Sequence, residues 1–175
     1  MQDGPDDRRR PPSVRTEVCT DDGRYPNNAH LPVLFYEAAL EPDAGADAWE
    51  ERVAAHGWAG GWRNGIFSFH HYHSTAHEVL GVAQGEVTVQ VGGPSGPHVG
   101  LSAGDAVVLP AGVAHRNVEA SGLLVVGAYA DGRDWDLKRG APDDRPEADH
   151  NIEQVPRPSA DPIYGRTGPL LQHWS

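Results

Sequence analysis

Residues 65–85 read GIFSFHHYHSTAHEVLGVAQG, and four of the ten histidines of the chain fall between positions 70 and 77. Alternate residues of a β-strand point to the same side. A strand here therefore places His71 and His73 on one face and His70 and Tyr72 on the other. Neutral imidazoles are good ligands for divalent transition metals. The spacing of His71 and His73 predicts a chelating pair.

Two further side chains can complete a site around this pair. Glu78 begins the next apolar run and adds a carboxylate oxygen, while His115 follows a Pro-x-Gly turn and can approach from another strand. His77 is the rival of Glu78, but strand alternation sends its side chain the other way. Isolated histidines are usually surface or hydrogen-bonded core residues, which is the interpretation favoured for His56, His98, His150 and His173.

Short strands punctuated by Gly and Pro surround the histidine stretch. Val87, Val89 and Val91 alternate with polar residues, which is typical of a strand with one buried face. Further strands are predicted at residues 31–36, 99–101, 106–109 and 123–129, with turns at Gln84–Gly85, Gly104–Asp105 and Pro110–Gly112. The pattern predicts an all-β fold of sandwich or barrel type.

One short helix is predicted before the sheet, at about residues 47–56. Asp47 and Glu50 have the spacing of a capping box at its start. Trp49 and Val53 lie four residues apart and share a face. We therefore expect the helix to lie flat on the sheet.

Three segments are expected along the chain. Residues 1–14 are predicted to be a disordered tail, residues 15–140 a β-barrel domain with its preceding strand and helix, and residues 141–175 an extended Pro-rich tail. Large apolar residues are scattered through the last segment without a core of their own. They predict that it wraps the barrel or a partner subunit. Because such groups would form an adhesive surface if exposed, a homodimer is predicted.

Charge and composition narrow the possible partners. The net charge is −11, with 25 acidic against 14 basic residues, so neither nucleic acid nor a membrane is an expected partner. The three arginines at positions 8–10 are interpreted as part of the N-terminal tail. Cys19 is the only cysteine, which excludes an internal disulfide and a Cys-based metal cage. With no secretory signal and no long apolar run, the expected localisation is cytoplasmic.

The spacing of the motif residues resembles that of a known family. The chain reads Gly65-x5-His71-x-His73-x4-Glu78-x6-Gly85, and then Gly104-x5-Pro110-x-Gly112-x2-His115. Both blocks resemble the signature motifs of the cupin superfamily. The second motif usually continues to an Asn where this chain has Glu119, a departure that concerns barrel packing more than ligation. The stretches HYHSTAHEVLGV, DWDLKRG and DPIYG resemble the YjlB-like bacterial cupins, over most of residues 25–175.

The resemblance implies a cupin-type jelly-roll β-barrel that holds one divalent metal ion. The implied metal ligands are His71, His73, Glu78 and His115. Fe or Mn is the expected metal because both are available in the cytoplasm, while Ni, Zn or Cu also suit a site without thiolate. Three imidazoles and a carboxylate leave open positions on a six-coordinate ion, which is typical of catalytic sites.

The expected function is that of a metal-dependent oxygenase acting on a small organic acid or enediol. The alternatives are a metal-dependent isomerase of a small sugar-like substrate, or a non-catalytic metal- or ligand-binding module. Candidate substrate-binding residues are aromatic groups of the barrel wall and one cation near the mouth: Phe67, Phe69, Tyr129 and Arg116. The aromatic residues can instead be plain barrel core, and Arg116 can instead form a surface salt bridge.

Overall fold

Antiparallel pairing joins all the strands of the computed structural model, which describes residues 13–175. Residues 1–12, most of the predicted N-terminal tail with its three arginines, lie outside the described residues. Within residues 13–175 the elements are β1 (Val14–Cys19), β2 (Asn28–Tyr36), α1 (Ala46–Ala55), β3 (Trp58–Asn64), β4 (Glu78–Val91), β5 (His98–Ser102), β6 (Ala106–Leu109), β7 (His115–Ala130), a 3-10 turn (Pro142–Asp144), α2 (Glu147–Gln154) and α3 (Pro169–His173).

The strands pair in the order β1-β2-β6-β4-β7-β3, and β5 pairs with β4 outside this path. Neighbours that are not consecutive in the chain require crossing connections, as in a jelly roll. The predominance of antiparallel sheet over a few short helices confirms the predicted all-β, jelly-roll fold.

The longest pairing joins β4 and β7, from Glu78 opposite Tyr129 to Val91 opposite His115. A turn was predicted at Gln84–Gly85, and this prediction is wrong, because β4 continues through a bulge at this point. Gly85 adopts a φ of +75°, and a Cβ there would lie 2.3 Å from the carbonyl oxygen of Ser121. The glycine is thus required by the close approach of β7 and does not reverse the chain.

Alternate residues of β4 pack into two separate clusters, which give the sheet two covered faces. Val79 joins the cluster that contains α1, whereas Leu80 and Val82 join the cluster inside the barrel. This alternation is the period-two pattern of a strand buried on both faces. Leu80, on the face inside the barrel, also lies in the wall of the candidate site.

Helix α1 packs Trp49 and Val53 against the sheet, as predicted. The predicted capping box is wrong: the helix begins at Ala46 after Gly45, without a side-chain cap. Asp47 and Glu50 instead bind the guanidinium of Arg63 on β3. These two carboxylates therefore form ion pairs with a neighbouring strand and do not cap the helix.

The C-terminal segment is bound to the barrel of its own chain by a buried carboxylate. Asp161 is fully buried, and one of its oxygens accepts the Tyr36 hydroxyl at 2.7 Å and the Leu170 N–H at 3.1 Å. Its other oxygen accepts the N–H of Ile163 at 2.8 Å. The segment is less extended than predicted, since α2 and α3 lie within it. No helix in residues 13–175 has the length and hydropathy to span a membrane.

The large apolar residues of this segment lie in the same core as α1. Ile163, Leu170 and Trp174 are each at most 2% exposed. The homodimer prediction assumed that such groups would be exposed without a partner, so the structure removes that argument. The homodimer itself stays a prediction.

Replacing Trp174 by Ala tests how strongly the C-terminal segment stabilises the barrel. The indole N–H donates to the carbonyl of Pro32 at 2.9 Å, and the ring packs against His77. We expect Trp174→Ala to lower the free energy of unfolding by about 3–5 kcal/mol in urea titrations. Exposed Gln172→Ala is the matched control, within about 0.5 kcal/mol of the parent. Equal stability of the two variants would contradict the account.

Candidate metal centre

The candidate ligands come together because two separated segments pair in antiparallel register. The N–H of His71 donates to the carbonyl of His115 at 3.1 Å, and the N–H of His115 donates back at 2.9 Å. The predicted strand around the histidines is reduced here to isolated bridges, at His71 and Tyr72. The bridge is nevertheless enough to place the two imidazole rings 4.1 Å apart.

The three imidazoles share one tautomer. Each Nδ1 faces a backbone carbonyl: His71 that of Phe69 at 3.0 Å, His115 that of Val113 at 3.0 Å, and His73 that of Asp136. A carbonyl can only accept, so Nδ1 carries the proton and Nε2 keeps its lone pair. Carbonyls that fix the tautomer in this way are typical of metal-ligating histidines. Ligand atoms of the three residues lie within 4.8 Å of one another, and all three side chains are buried.

Glu78 extends the group of three histidines. It is the first residue of β4 and is only 2% exposed. One carboxylate oxygen lies 3.2 Å from Nε2 of His73 and the other 3.3 Å from Nε2 of His115. The carboxylate thus faces the same lone pairs that a metal ion would use.

The charges of Glu78 and His73 are coupled. Burial alone would raise the pKa of Glu78, but the adjacent His73 and His115 outweigh burial and hold this pKa below its ordinary range. Burial likewise opposes charge on His73, yet the Glu78 carboxylate raises the pKa of His73. By contrast, burial and the neighbouring His115 lower the pKa of His71 to about 3. The Glu78 carboxylate and a positive charge on His73 therefore stabilise each other.

The donor set fits a divalent cation. The Nε2 lone pairs and the Glu78 carboxylate converge in a buried space, and the Glu78 oxygen nearest His115 has no hydrogen-bond partner with good geometry. A buried polar atom without a partner is costly. A cation would satisfy this oxygen and the imidazole nitrogens together. Three imidazoles, a carboxylate and no thiolate suit first-row transition metals.

A cavity of about 360 Å³ opens above these donors. Two of the predicted substrate-binding residues, Phe67 and Tyr129, line it. No lysine or arginine is among the described residues of its wall, which are Trp62, Asn64, Gly65, Ile66, Phe67, His71, His73, Glu78, Leu80, His115, Tyr129 and Trp135. The volume suits a small molecule, and the wall is mostly apolar.

Tyr129 links the cavity wall to the donors. Its hydroxyl accepts the Trp62 indole N–H at 2.9 Å, and its ring stacks on Trp135. Burial, followed by the charge of Glu78, raises the pKa of Tyr129. At neutral pH this phenol is therefore a neutral hydrogen-bond donor beside the candidate metal centre.

The other two predicted substrate-binding residues lie elsewhere. Phe69 stacks behind Phe67 with ring centres 4.8 Å apart and does not line the cavity. Arg116 is turned away from His115 and donates to the Gln90 side chain at 2.9 Å. Both residues line a second depression on the opposite side of the histidine segment.

His77 is held in the opposite tautomer and faces away from the donors. Its Nδ1 accepts the N–H of Ala111 at 2.8 Å, and its ring packs on Trp174. Burial lowers the pKa of His77 to about 4. Its surroundings are those of a neutral core histidine.

A segment that follows β7, within the stretch DWDLKRG, completes the site. The Asp136 carboxylate accepts the N–H of Ser74 at 2.6 Å and also binds the Ser74 hydroxyl, while its carbonyl orients His73. Trp135 is thereby placed over the His73 ring. The Asp-Trp-Asp pattern was noted in the sequence, but a backbone carbonyl has no signature there.

Comparisons with known proteins agree with this geometry. Residues 60–126, which contain all four candidate ligands, match the Cupin domain family. The uncharacterized protein YjlB of Bacillus subtilis (strain 168) is 43% identical over 162 residues, covering 92% of this chain and 96% of YjlB. The chain therefore belongs to the cupins, and within them to the YjlB-like proteins, as its motifs predicted.

Solved structures with related folds are far more distant. A cupin 2 domain-containing protein from Halorhodospira halophila is 13% identical, with a TM-score of 0.34, over 84% of this chain and 83% of that one. The oxalate decarboxylase of Lactobacillus farciminis, solved as a formate complex, is 14% identical, with a TM-score of 0.34, over 74% of this chain and 36% of that one.

Elemental analysis of purified variants tests the ligand assignment. We expect close to one metal ion per chain in the parent, and a large loss in His71→Ala and His73→Ala, because each removes a donor nitrogen. His77→Ala is the matched control and should keep nearly normal metal content. Loss of metal in His77→Ala alone would overturn the assignment.

Metal affinity should also decrease as the pH is lowered. A protonated imidazole cannot ligate, and Glu78 raises the pKa of His73, so the metal must displace this proton. We expect the dissociation constant to rise up to about tenfold per unit below the pKa of His73. Competition titrations between pH 5 and about pH 8 measure this slope. A pH-independent affinity would show that His73 is not a ligand.

Proposed function

We propose that this cupin is a metal-dependent oxygenase that acts on a small organic acid or enediol. The observation that carries the proposal is the convergence of three buried imidazoles of one tautomer and Glu78 on the floor of a mostly apolar cavity. Fe or Mn is the proposed metal, because the nitrogen and oxygen donors suit both. The proposed localisation is the cytoplasm.

His71, His73 and His115 would hold the ion through Nε2, and Glu78 would hold it through a carboxylate oxygen. When bound, the ion supplies Lewis-acid and redox chemistry for the reaction of a chelating substrate with O₂. Four protein ligands leave two positions of a six-coordinate ion for small molecules.

The charge of the site favours an anionic substrate of small size. Glu78 offsets one of the two charges of a divalent ion, and the imidazoles are neutral when they ligate. The centre therefore stays positive and attracts a carboxylate or an enediolate. Since no lysine or arginine is among the described residues of the cavity wall, a sugar phosphate would find no second cation there. This disfavours the isomerase.

The cavity wall provides apolar surface and one hydrogen-bond donor for such a substrate. Trp62, Leu80 and Trp135 exclude water, which strengthens the electrostatic attraction between the centre and a bound anion. The neutral Tyr129 hydroxyl can donate a hydrogen bond to a substrate oxygen. Phe67 is 49% exposed and Trp135 44% exposed, so both aromatic rings stand at the mouth, where a substrate enters.

Oxygen uptake by the Fe- or Mn-loaded protein tests the proposal against a panel of small hydroxy acids, keto acids and enediols. We expect Glu78→Ala to lower the rate at least about 100-fold, since it removes a ligand and its charge. Glu86→Ala, an exposed change on the same strand, should leave the rate unchanged.

The alternatives give different results in the same assay. An isomerase would convert a sugar-like substrate without O₂, and a binding module would retain its ligand unchanged. If neither the acids and enediols nor a panel of sugar phosphates is turned over with Fe, Mn, Ni, Zn or Cu, the enzyme is refuted and the binding module takes its place.

A further inference from the structure

Three arginines line a depression of about 450 Å³ that is separate from the cavity above the candidate metal centre. Arg24 lies before β2, Arg116 lies on β7, and Arg139 follows β7, so only the folded chain brings them together. Its wall consists of Arg24, Tyr25, Ser68, Phe69, His70, Arg116, Arg139 and Ala141.

Two of the guanidinium groups are fixed by hydrogen bonds from Nε. Arg24 donates to the carbonyl of Gly140 at 2.9 Å, and Arg116 donates to the Gln90 side-chain oxygen at 2.9 Å. In both residues the terminal N–H groups have no protein acceptor within residues 13–175. The tethered nitrogens orient the planar forks and leave their outer donors available to a ligand.

Two of the guanidinium groups pack over the faces of aromatic rings. Arg139 lies 3.7 Å from the centre of the Phe69 ring, and Arg24 lies 5.2 Å from that of Tyr25. Cations held over ring faces in this way have restricted orientations. Because the ring faces are already covered, the depression offers a ligand charged donors and not a stacking surface.

No carboxylate of residues 13–175 forms an ion pair with the arginines of this cluster. By contrast, Arg63 and Arg145 each bind two carboxylates. The nearby acids accept backbone N–H groups instead: Asp22 those of Arg24 and Tyr25, and Asp144 those of Gly140 and Ala141. In a chain with a net charge of −11, such a concentration of free cations marks a site for an anion.

We propose that this depression binds the phosphate group of a small molecule. Planar guanidinium forks match the oxygens of phosphate, and several cations in one place suit a dianion better than a single carboxylate. The site does not depend on the proposed oxygenase function. It shares no lining residue with the metal-binding cavity.

Strand geometry places the two sites back to back. His70 and Arg116 directly adjoin the bridged pair His71 and His115, and adjacent residues point to opposite sides. His71 and His115 line one cavity, and their chain neighbours His70 and Arg116 line the other. A phosphate bound here would rest against the backbone that positions two of the imidazoles.

Calorimetric titration with inorganic phosphate, at ionic strength held constant with chloride, tests this site. We expect saturable binding of one phosphate per chain, with acetate at least about tenfold weaker. Arg116→Gln and Arg139→Gln should each weaken phosphate binding at least about tenfold. Arg157→Gln, at an exposed arginine outside the depression, is the matched control and should bind normally.

Phosphate can also bind a metal ion, so the titration is repeated with His73→Ala. The proposal predicts unchanged phosphate affinity in this variant, because the arginines are intact. Loss of binding in His73→Ala, normal binding in both arginine variants, or no saturable binding to the parent protein would each overturn the proposal. Circular dichroism confirms that each variant is folded.

Discussion

The antiparallel bridge between His71 and His115 is the contact on which both faces of the molecule depend. Two backbone hydrogen bonds join segments that lie far apart in the chain and place their imidazoles side by side. Because neighbouring residues point to opposite sides, the same two bonds place His70 and Arg116 on the reverse face. One short pairing therefore organises the candidate metal centre and the arginine-lined depression together.

Hydrogen bonds within the protein orient the residues of the candidate centre. Carbonyls of three different segments hold the Nδ1 protons, so the Nε2 lone pairs already converge. A buried charge such as the Glu78 carboxylate is costly for the fold unless it is strongly compensated. A bound cation would supply that compensation, and by binding only the folded chain it would also stabilise it.

Features that depend on local spacing could be predicted from the sequence. The alternation of Val87, Val89 and Val91 predicted sheet, and motif spacing singled out the histidines that the structure groups together. Features that depend on distant contacts could not be predicted. The bulge at Gly85 is imposed by β7, and the cap at Asp47 was replaced by an ion pair with another strand. The convergence of three arginines likewise exists only after folding.

The proposed centre holds a single metal ion through three imidazoles and Glu78. X-ray absorption at the edge of the bound metal, measured on natively purified protein, tests it most directly because scattering from imidazole rings is distinctive. We expect one ion per chain, bound by three imidazole nitrogens and by oxygen ligands. In Glu78→Ala the three imidazole ligands should remain, and the oxygen ligand that Glu78 provides should be lost. A native protein without metal, or a metal with one imidazole or none, would contradict this expectation.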